Sequence, residues 1–427
     1  LGRKSSNSAP PWPQSGEIRH SQMVTRLNVC MISREFPPDT AFGGIATFSL
    51  DTARMLKAQG HDVTVFSQSL GPSQVLDYGG IEVRKLHIPA PFGSYRFLPS
   101  LILGFNAVVF RAVQKVHRER PFDLIDVPDH LAEGLFAVLS GRLPVVTRLH
   151  TPFALLVAMG LNDYRKGPSY WFIKALERIA LSRSTVLYAP CLDLVRRSEK
   201  LFAFSGVPAR VFGYPLDLSL FAAQPAAPLD DGQPRILFVG RLEHRKGIET
   251  IAEAFPKVRA ACPGAQLTLL GSDTPNIRGH ASARQFLEAA FTATGDRDHV
   301  DFKDHVPLQQ LPGIFHDYDI VWVPSLYDNF PITCLEAMAC GKAVVVSDAG
   351  GLPEMVRHDE TGLVFPAGDA TALANMTLVL CRDALLRQRL GQNARDYSEQ
   401  SCSDDIIYAH TLALYRAALG DKLEARK

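Results

Sequence analysis

The chain has 427 residues, of which 46% are hydrophobic and 21% charged, with a formal net charge of +1. That length is more than one ordinary core uses and points to two domains of roughly 200 residues each. The composition is ordinary for a globular protein, and no run of about 18 apolar residues is present, which excludes a membrane-spanning helix.

The charge is unevenly placed. Residues 1–230 carry 25 Lys and Arg against 18 Asp and Glu, and residues 231–427 carry 20 against 26. The basic first half has two readings: chance scatter, or a surface for an anionic acceptor or a membrane. Seven cysteines run from Cys30 to Cys402 with no C-x-x-C pair. That pattern speaks against a disulfide framework or a structural zinc site and for a reducing compartment.

Residues 1–22 are polar and rich in Ser, Pro and Gly, and lack the apolar core of a secretion signal. A disordered tail is expected over 1–26. Short apolar runs then alternate with helical patterns. In the first half they lie at 26–33, 62–69, 124–128, 144–150, 184–190 and 210–215, and in the second at 235–240, 266–271, 320–325, 343–348 and 362–366. Near-continuous Val, Ile and Leu suits strands buried on both faces of a parallel sheet. Alternation with helices predicts right-handed β-α-β units. The Pro-, Ala- and Asp-rich stretch over 216–234 reads as a linker. The expected architecture is α/β, with two Rossmann-like, doubly wound parallel-sheet domains, 27–215 and 235–402, facing across a cleft. Ligands would sit at the carboxyl ends of the strands.

Gly43-Gly44 sits in the first β-α turn, where glycines let the backbone approach a ligand at a helix N-terminus. There is no G-x-G-x-x-G, so a dinucleotide fingerprint is absent. Residues 97–120 join an apolar stretch to a basic end: a core helix, or a peripheral membrane contact. Asp129, His130 and Glu133 lie near a strand end, where they could touch an acceptor, though the sequence gives no firm reason for it. His150 ends another strand, where a lone His is more often structural than catalytic. Arg241 and Lys246, in GRLEHRKG, put two cations beside a helix start, as a diphosphate site needs; a solvated charge cluster is the plainer reading. The D-x-D in 295–300 reads as solvated charge. In SLYDNFPITCLEAMACG (325–341), Asp328 lies on a loop and Glu336 one turn into a helix. Thr333 is the expected cap, and N–H groups from Phe330 to Thr333 would face the cleft. An anion could bind those amides while the carboxylates take hydroxyls.

Together, G-R-L-x-x-x-K-G, the acidic-x7-E segment followed by EAMACG, and SDAGGLPE resemble the family 4 retaining glycosyltransferases of the GT-B fold. The resemblance runs from about Leu27 onward. It implies a retaining hexosyltransferase with a nucleotide-diphosphate sugar in the second domain, a UDP-sugar favoured over a GDP-sugar. It implies no cofactor and no metal, Arg241 and Lys246 neutralising the diphosphate instead. Glu336 would take the ribose hydroxyls, and Asp328 the donor sugar, helped by the backbone around Asn329, Phe330, Pro331, Ile332 and Thr333. The base would lie near Val306, Gly43 and Gly44 would close on the phosphates, and His150 would reach the donor sugar. Residues 403–427 would form a helix packed back on the first domain. The acceptor would be a carbohydrate or a lipid-linked glycan, with no nucleic-acid partner, and the location cytoplasmic or peripheral on the inner membrane face. Most members carry Glu where this chain has Asp328, which leaves the donor sugar open. Two rival readings keep the fold: a catalytically degenerate assembly partner, and a sugar-nucleotide epimerase. A vitamin B6 phosphorylase would need a Schiff-base Lys, for which there is no signal.

Overall fold

The structure, a computed structural model, describes residues 26–40, 43–89, 98–162, 164–222 and 234–420. The expected tail, apart from Arg26, and most of the expected linker lie outside them.

The first half of the chain runs β1 (Asn28–Ile32), α1 (Gly44–Ala58), β2 (Asp62–Ser69), β3 (Gln74–Asp77), β4 (Glu82–His87), α2 (Leu98–Glu119) and β5 (Leu124–Pro128). It continues through α3 (Leu135–Ser140), β6 (Val145–Arg148), α4 (Phe153–Ala158), α5 (Pro168–Ser182), β7 (Val186–Ala189), α6 (Leu192–Phe202) and β8 (Ala209–Val211). Its sheet has the order β3-β4-β2-β1-β5-β6-β7-β8, parallel throughout except for the β3–β4 edge. Strands β5, β6 and β7 are buried at every position, as the apolar runs require of a sheet covered on both faces.

The second half runs β9 (Arg235–Val239), α7 (Ile248–Ala261), β10 (Gln266–Leu270), β11 (Pro275–Ile277), β12 (His280–Ser282), α8 (Ala283–Thr294) and β13 (Val300–Lys303). Then come α9 (Leu311–His316), β14 (Ile320–Val323), α10 (Ile332–Ala339), β15 (Ala343–Ser347), α11 (Leu352–Met355), β16 (Leu363–Phe365), α12 (Ala370–Arg382), α13 (Ala384–Cys402) and α14 (Asp404–Leu419). Its sheet is parallel in the order β13-β10-β9-β14-β15-β16, beside a small β11–β12 hairpin. Strand order reverses around β1 and around β9, and ligands bind at the carboxyl ends beside such switch points.

The sequence reading departs from the structure at three segments. The run 210–215 pairs only as 209–211, because it leaves the sheet edge towards the other domain. Strand β4 was hidden by Arg84 and Lys85. Lys85 is nevertheless fully buried, its Nζ bonded to Phe36 O, Thr40 and Asp39. The 295–300 segment is not all solvated: Asp296 is buried beside Arg259, 3.4 Å away, and Val300 opens β13.

Helix α2 turns Leu98, Leu101, Ile102, Phe105, Val109, Val113 and Val116 into the core, so its apolar stretch is spent on packing. Among the described residues, no helix is long and apolar enough to cross a membrane. Helix α14 returns to the first sheet, against α1 and strands β5 to β7. Tyr415 donates to Asp126, which also holds Arg148, and Tyr408 lies 2.9 Å from His61 Nε2.

Candidate active site

The donor-side loops follow β9 and β14. Strand β9 stops at Gly240; Arg241 and a short turn, His244–Lys246, come next, and Gly247 opens α7. Gly247 has φ +76°, and a Cβ there would come within 2.0 Å of Pro324 O. Only glycine permits this left-handed turn to press against the end of β14. That approach brings Lys246 Nζ to 2.6 Å from Asp328 Oδ2 and Arg245 Nη1 to 3.5 Å from the same oxygen. Arg245 also donates to Tyr327 O at 3.3 Å and to Glu243 Oε1 at 2.9 Å. Burial would push the Asp328 carboxyl up, but Lys246 and Arg245 outweigh it and hold it below the usual carboxylate range.

The two expected cations therefore differ. Arg241 is exposed, its side chain 55% accessible and 3.3 Å from Glu243. Lys246 is only 16% accessible and already paired, so it is not a free surface cation. Arg245 escaped the sequence reading because three adjacent basic and acidic residues look like solvated charge.

The double glycine after β15 seats the Asp328 loop. Gly351 N donates to Asp328 O at 2.9 Å. A Cβ on Gly350, at φ +62°, would lie 2.1 Å from Asp328 O; one on Gly351 would lie 1.9 Å from Asn329 O and 2.8 Å from Cys191 Sγ. Gly351→Ala is therefore expected to destabilise by about 2–4 kcal/mol, read as a lower melting temperature. Unchanged melting would show that the loop yields.

Helix α10 begins at Ile332 with Pro331 at its N-cap and no side-chain cap. Thr333 is thus one residue inside the helix, not its cap, because Pro331 holds the entry extended. The N–H groups of Ile332 and Thr333 precede the first helical bond, which Cys334 makes to Pro331 O. The Phe330 N–H donates to Asn329 Oδ1 at 2.8 Å, so it is not available to an anion. Glu336, one turn in, is 3% exposed, and its Oε2 has no hydrogen-bond partner among the described residues. Burial, with some contribution from Asp51 on α1, pushes Glu336 up to about 8. Val306 is partly buried against the core after β13.

On the acceptor side His150 follows β6. Its Nδ1 is 2.9 Å from Tyr214 Oη, and its ring meets Phe48 edge-on at 5.1 Å. Its N–H donates to Asp129 Oδ1 at 3.0 Å, and its carbonyl accepts from Asn329 Nδ2 at 2.6 Å. That last bond, with Tyr214 and Phe330 5.0 Å apart, joins the two domains. Burial, then Arg148 and His130, hold the imidazole well below its ordinary value, so it is neutral. Its Nε2 is buried without a partner among the described residues. Thr151 beside it has φ +124°, a conformation a β-branched residue adopts only under constraint, as at functional sites. His130 Nδ1 lies 3.3 Å from Thr151 O, and Glu133 accepts from Arg34 N at 2.8 Å. Asp129 and His130 thus brace the His150 turn, while Glu133 holds Arg34 in the loop after β1. Gly43 caps α1 in extended backbone, and neither Gly43 nor Gly44 is crowded.

Two family models cover most of the chain: "Glycosyl transferase 4-like domain" matches 43–215 and "Glycosyl transferases group 1" matches 222–397. This chain belongs to the family 4 glycosyltransferases of the GT-B fold. The D-inositol 3-phosphate glycosyltransferase of Stackebrandtia nassauensis is 28% identical over 95% of this chain and 94% of its own. The phosphatidyl-myo-inositol mannosyltransferase of Mycobacterium leprae is 26% identical over 84% and 88%. Among solved structures, sucrose-phosphate synthase of Thermosynechococcus elongatus superposes with TM-score 0.74 at 23% identity, covering 94% of this chain and all of that one. Anabaena HepE, solved with UDP and glucose, gives 0.68 at 20%, covering 91% and 100%. These structures speak for the fold. The glycosyltransferase activity rests on the family itself.

Proposed function

We propose that this family 4 glycosyltransferase moves a hexose from a nucleoside-diphosphate sugar to a hydroxyl of a carbohydrate or lipid-linked acceptor, retaining the anomeric configuration and using no metal. A UDP-sugar is favoured over a GDP-sugar, in keeping with the UDP and glucose in HepE. The observation that carries this reading is Glu336. A buried carboxyl oxygen without a donor is costly, and a pair of ribose hydroxyls would satisfy it.

Around that anchor the diphosphate would lie across the start of α10, where the Ile332 and Thr333 amides and the helix dipole favour negative charge. Lys246 and Arg241 would balance the charge released at the leaving diphosphate, with Arg245 freeing Lys246 by keeping hold of Asp328. Asp328 would accept from hydroxyls of the sugar. His150, neutral and with Nε2 open, would hydrogen-bond the sugar from the first domain. As the bond from C1 to the diphosphate oxygen breaks, the acceptor oxygen bonds C1 from the same face. The departing diphosphate oxygen takes the acceptor proton. No carboxylate nucleophile of the glycosidase kind is required. The chain's share is positioning and charge stabilisation.

The test is a thermal-shift panel of nucleoside diphosphates and their sugars with a chelator present. A rise in melting temperature with UDP, enlarged by one UDP-sugar and unaffected by chelator, is expected by linkage. A shift that needs added metal would remove the metal-independent reading. No shift with any nucleotide would favour a degenerate scaffold.

A further inference from the structure

Among the described residues, nine large hydrophobic side chains are exposed, and five of them stand on α2, α3 and α5. These three helices touch one another and cover one face of the first sheet. The five are Leu103 on α2, Leu139 on α3, and Trp171, Phe172 and Ile179 on α5. Trp171 is the most open of them at 59%, on a helix that otherwise buries Tyr170, Ile173, Ala180 and Leu181 in the ordinary way. Five of the nine thus stand on adjoining helices, three of them on α5, whereas side chains scattered singly over the surface would need no explanation.

Among the described residues of α2, α3 and α5 the exposed charge is basic except for Glu119, the last residue of α2. Lys166, Arg178 and Arg183 are exposed on or beside α5, and Lys174 Nζ lies 5.2 Å over the Trp171 ring. The only carboxylate of α5, Glu177, is buried. Its oxygens accept the backbone N–H groups of Leu131, Phe153 and Ala154 at 2.7–3.0 Å. It therefore adds no anion to the surface. Arg111, Lys115 and Arg118 are also exposed on α2, so part of the basic excess of the first half of the chain lies on these helices.

We infer that the α5 face seats on an anionic lipid bilayer. Trp171 and Phe172 enter the interface, and Lys174, Arg178 and Arg183 meet lipid phosphates. Aromatic side chains set among cations on one helix face are the signature of an interfacial helix. Charge complementarity selects a bilayer of anionic lipid over a neutral one. The contact is made by α5, and not by the apolar stretch of α2, which is spent in the core. Helix α5 connects the parallel strands β6 and β7, so its first turns lie at the carboxyl end of the sheet, on the His150 side. An acceptor held in the bilayer would meet the cleft there. That consequence rests on the transferase reading; the bilayer contact does not.

The test uses the full chain without donor or acceptor, floated with vesicles of phosphatidylcholine alone or mixed in equal parts with phosphatidylglycerol. Binding to the mixed vesicles, weakened by salt and near absent on phosphatidylcholine, is expected. Trp171→Ala/Phe172→Ala and Lys174→Glu/Arg178→Glu should each weaken it about tenfold or more with unchanged melting temperature. Retained binding in both variants would overturn the assignment to α5. A wild-type chain that ignores anionic vesicles would overturn the proposal, in favour of a protein partner for this face. Neither result touches the thermal-shift test of the donor site.

Discussion

Lys246→Ala is expected to lower kcat/KM by about 10²–10³-fold, of the order of 3–4 kcal/mol of transition-state stabilisation. The size follows from the charge it would meet. A leaving diphosphate gains negative charge as the sugar departs, and few donors stand near enough to receive it. The same substitution has a second cost that Arg241→Ala lacks. Asp328 is buried, and without Lys246 it keeps the Asn329 backbone N–H and one nearby cation, Arg245, at 3.5 Å. A loss of about 1–3 kcal/mol of stability is expected. Arg241 is half exposed and, among the described residues, pairs only with Glu243, so its removal should spare the melting temperature while lowering turnover. Steady-state kinetics and thermal melting on both variants read the two effects apart. Unchanged turnover in both would sink the diphosphate assignment.

Glu336→Gln is expected to move stability and ligand binding in opposite directions. The folded carboxyl titrates at about 8, against an ordinary value of 4.5. Between those values the folded state keeps a proton that the unfolded chain releases. The stability tied to Glu336 is therefore whole below about pH 4.5 and is lost as pH rises through about 8. Gln carries no charge to bury, so the variant should gain on the wild type as pH rises, by the order of 2–3 kcal/mol near pH 8. At the same time an amide is a poorer acceptor for two ribose hydroxyls. UDP affinity should fall about tenfold or more. Melting at pH 5 and pH 8, with calorimetric titration of UDP, would check both. A variant less stable at both pH values would contradict the titration argument. Unchanged UDP affinity would remove Glu336 from the nucleotide site.

How much of this was legible in the sequence differs by element. Strands β1, β2, β5, β9, β10, β14 and β15 were readable because parallel strands buried on both faces are continuous apolar runs. Strand β4 was not, since Lys85 is buried by partners 36–40, which only the fold brings close. The positions of Asp328 and Glu336 around the start of α10 were also readable, from loop residues followed by a helical pattern. Their states were not. Asp328 is an ion-pair partner and Glu336 a carboxyl lacking one, and that difference comes from Gly247 and Gly350 drawing one loop onto another.

By itself, the sequence determined the α/β class, the two parallel sheets and the family, because these rest on periodicity and on motifs local in the chain. Contacts between distant residues were left to the tertiary structure. It decided that His150 is neutral and wedged under Tyr214, that Asn329 bridges the two domains through His150 O, and that Arg245 shares Asp328 with Lys246. It also decided that most of the exposed apolar side chains of α2, α3 and α5 stand on α5, with Leu103 on α2 and Leu139 on α3. The physical reason is the same in each case. Burial, and the charge and hydrogen-bond partners that burial enforces, depend on which segments meet, and no spacing along the chain records that.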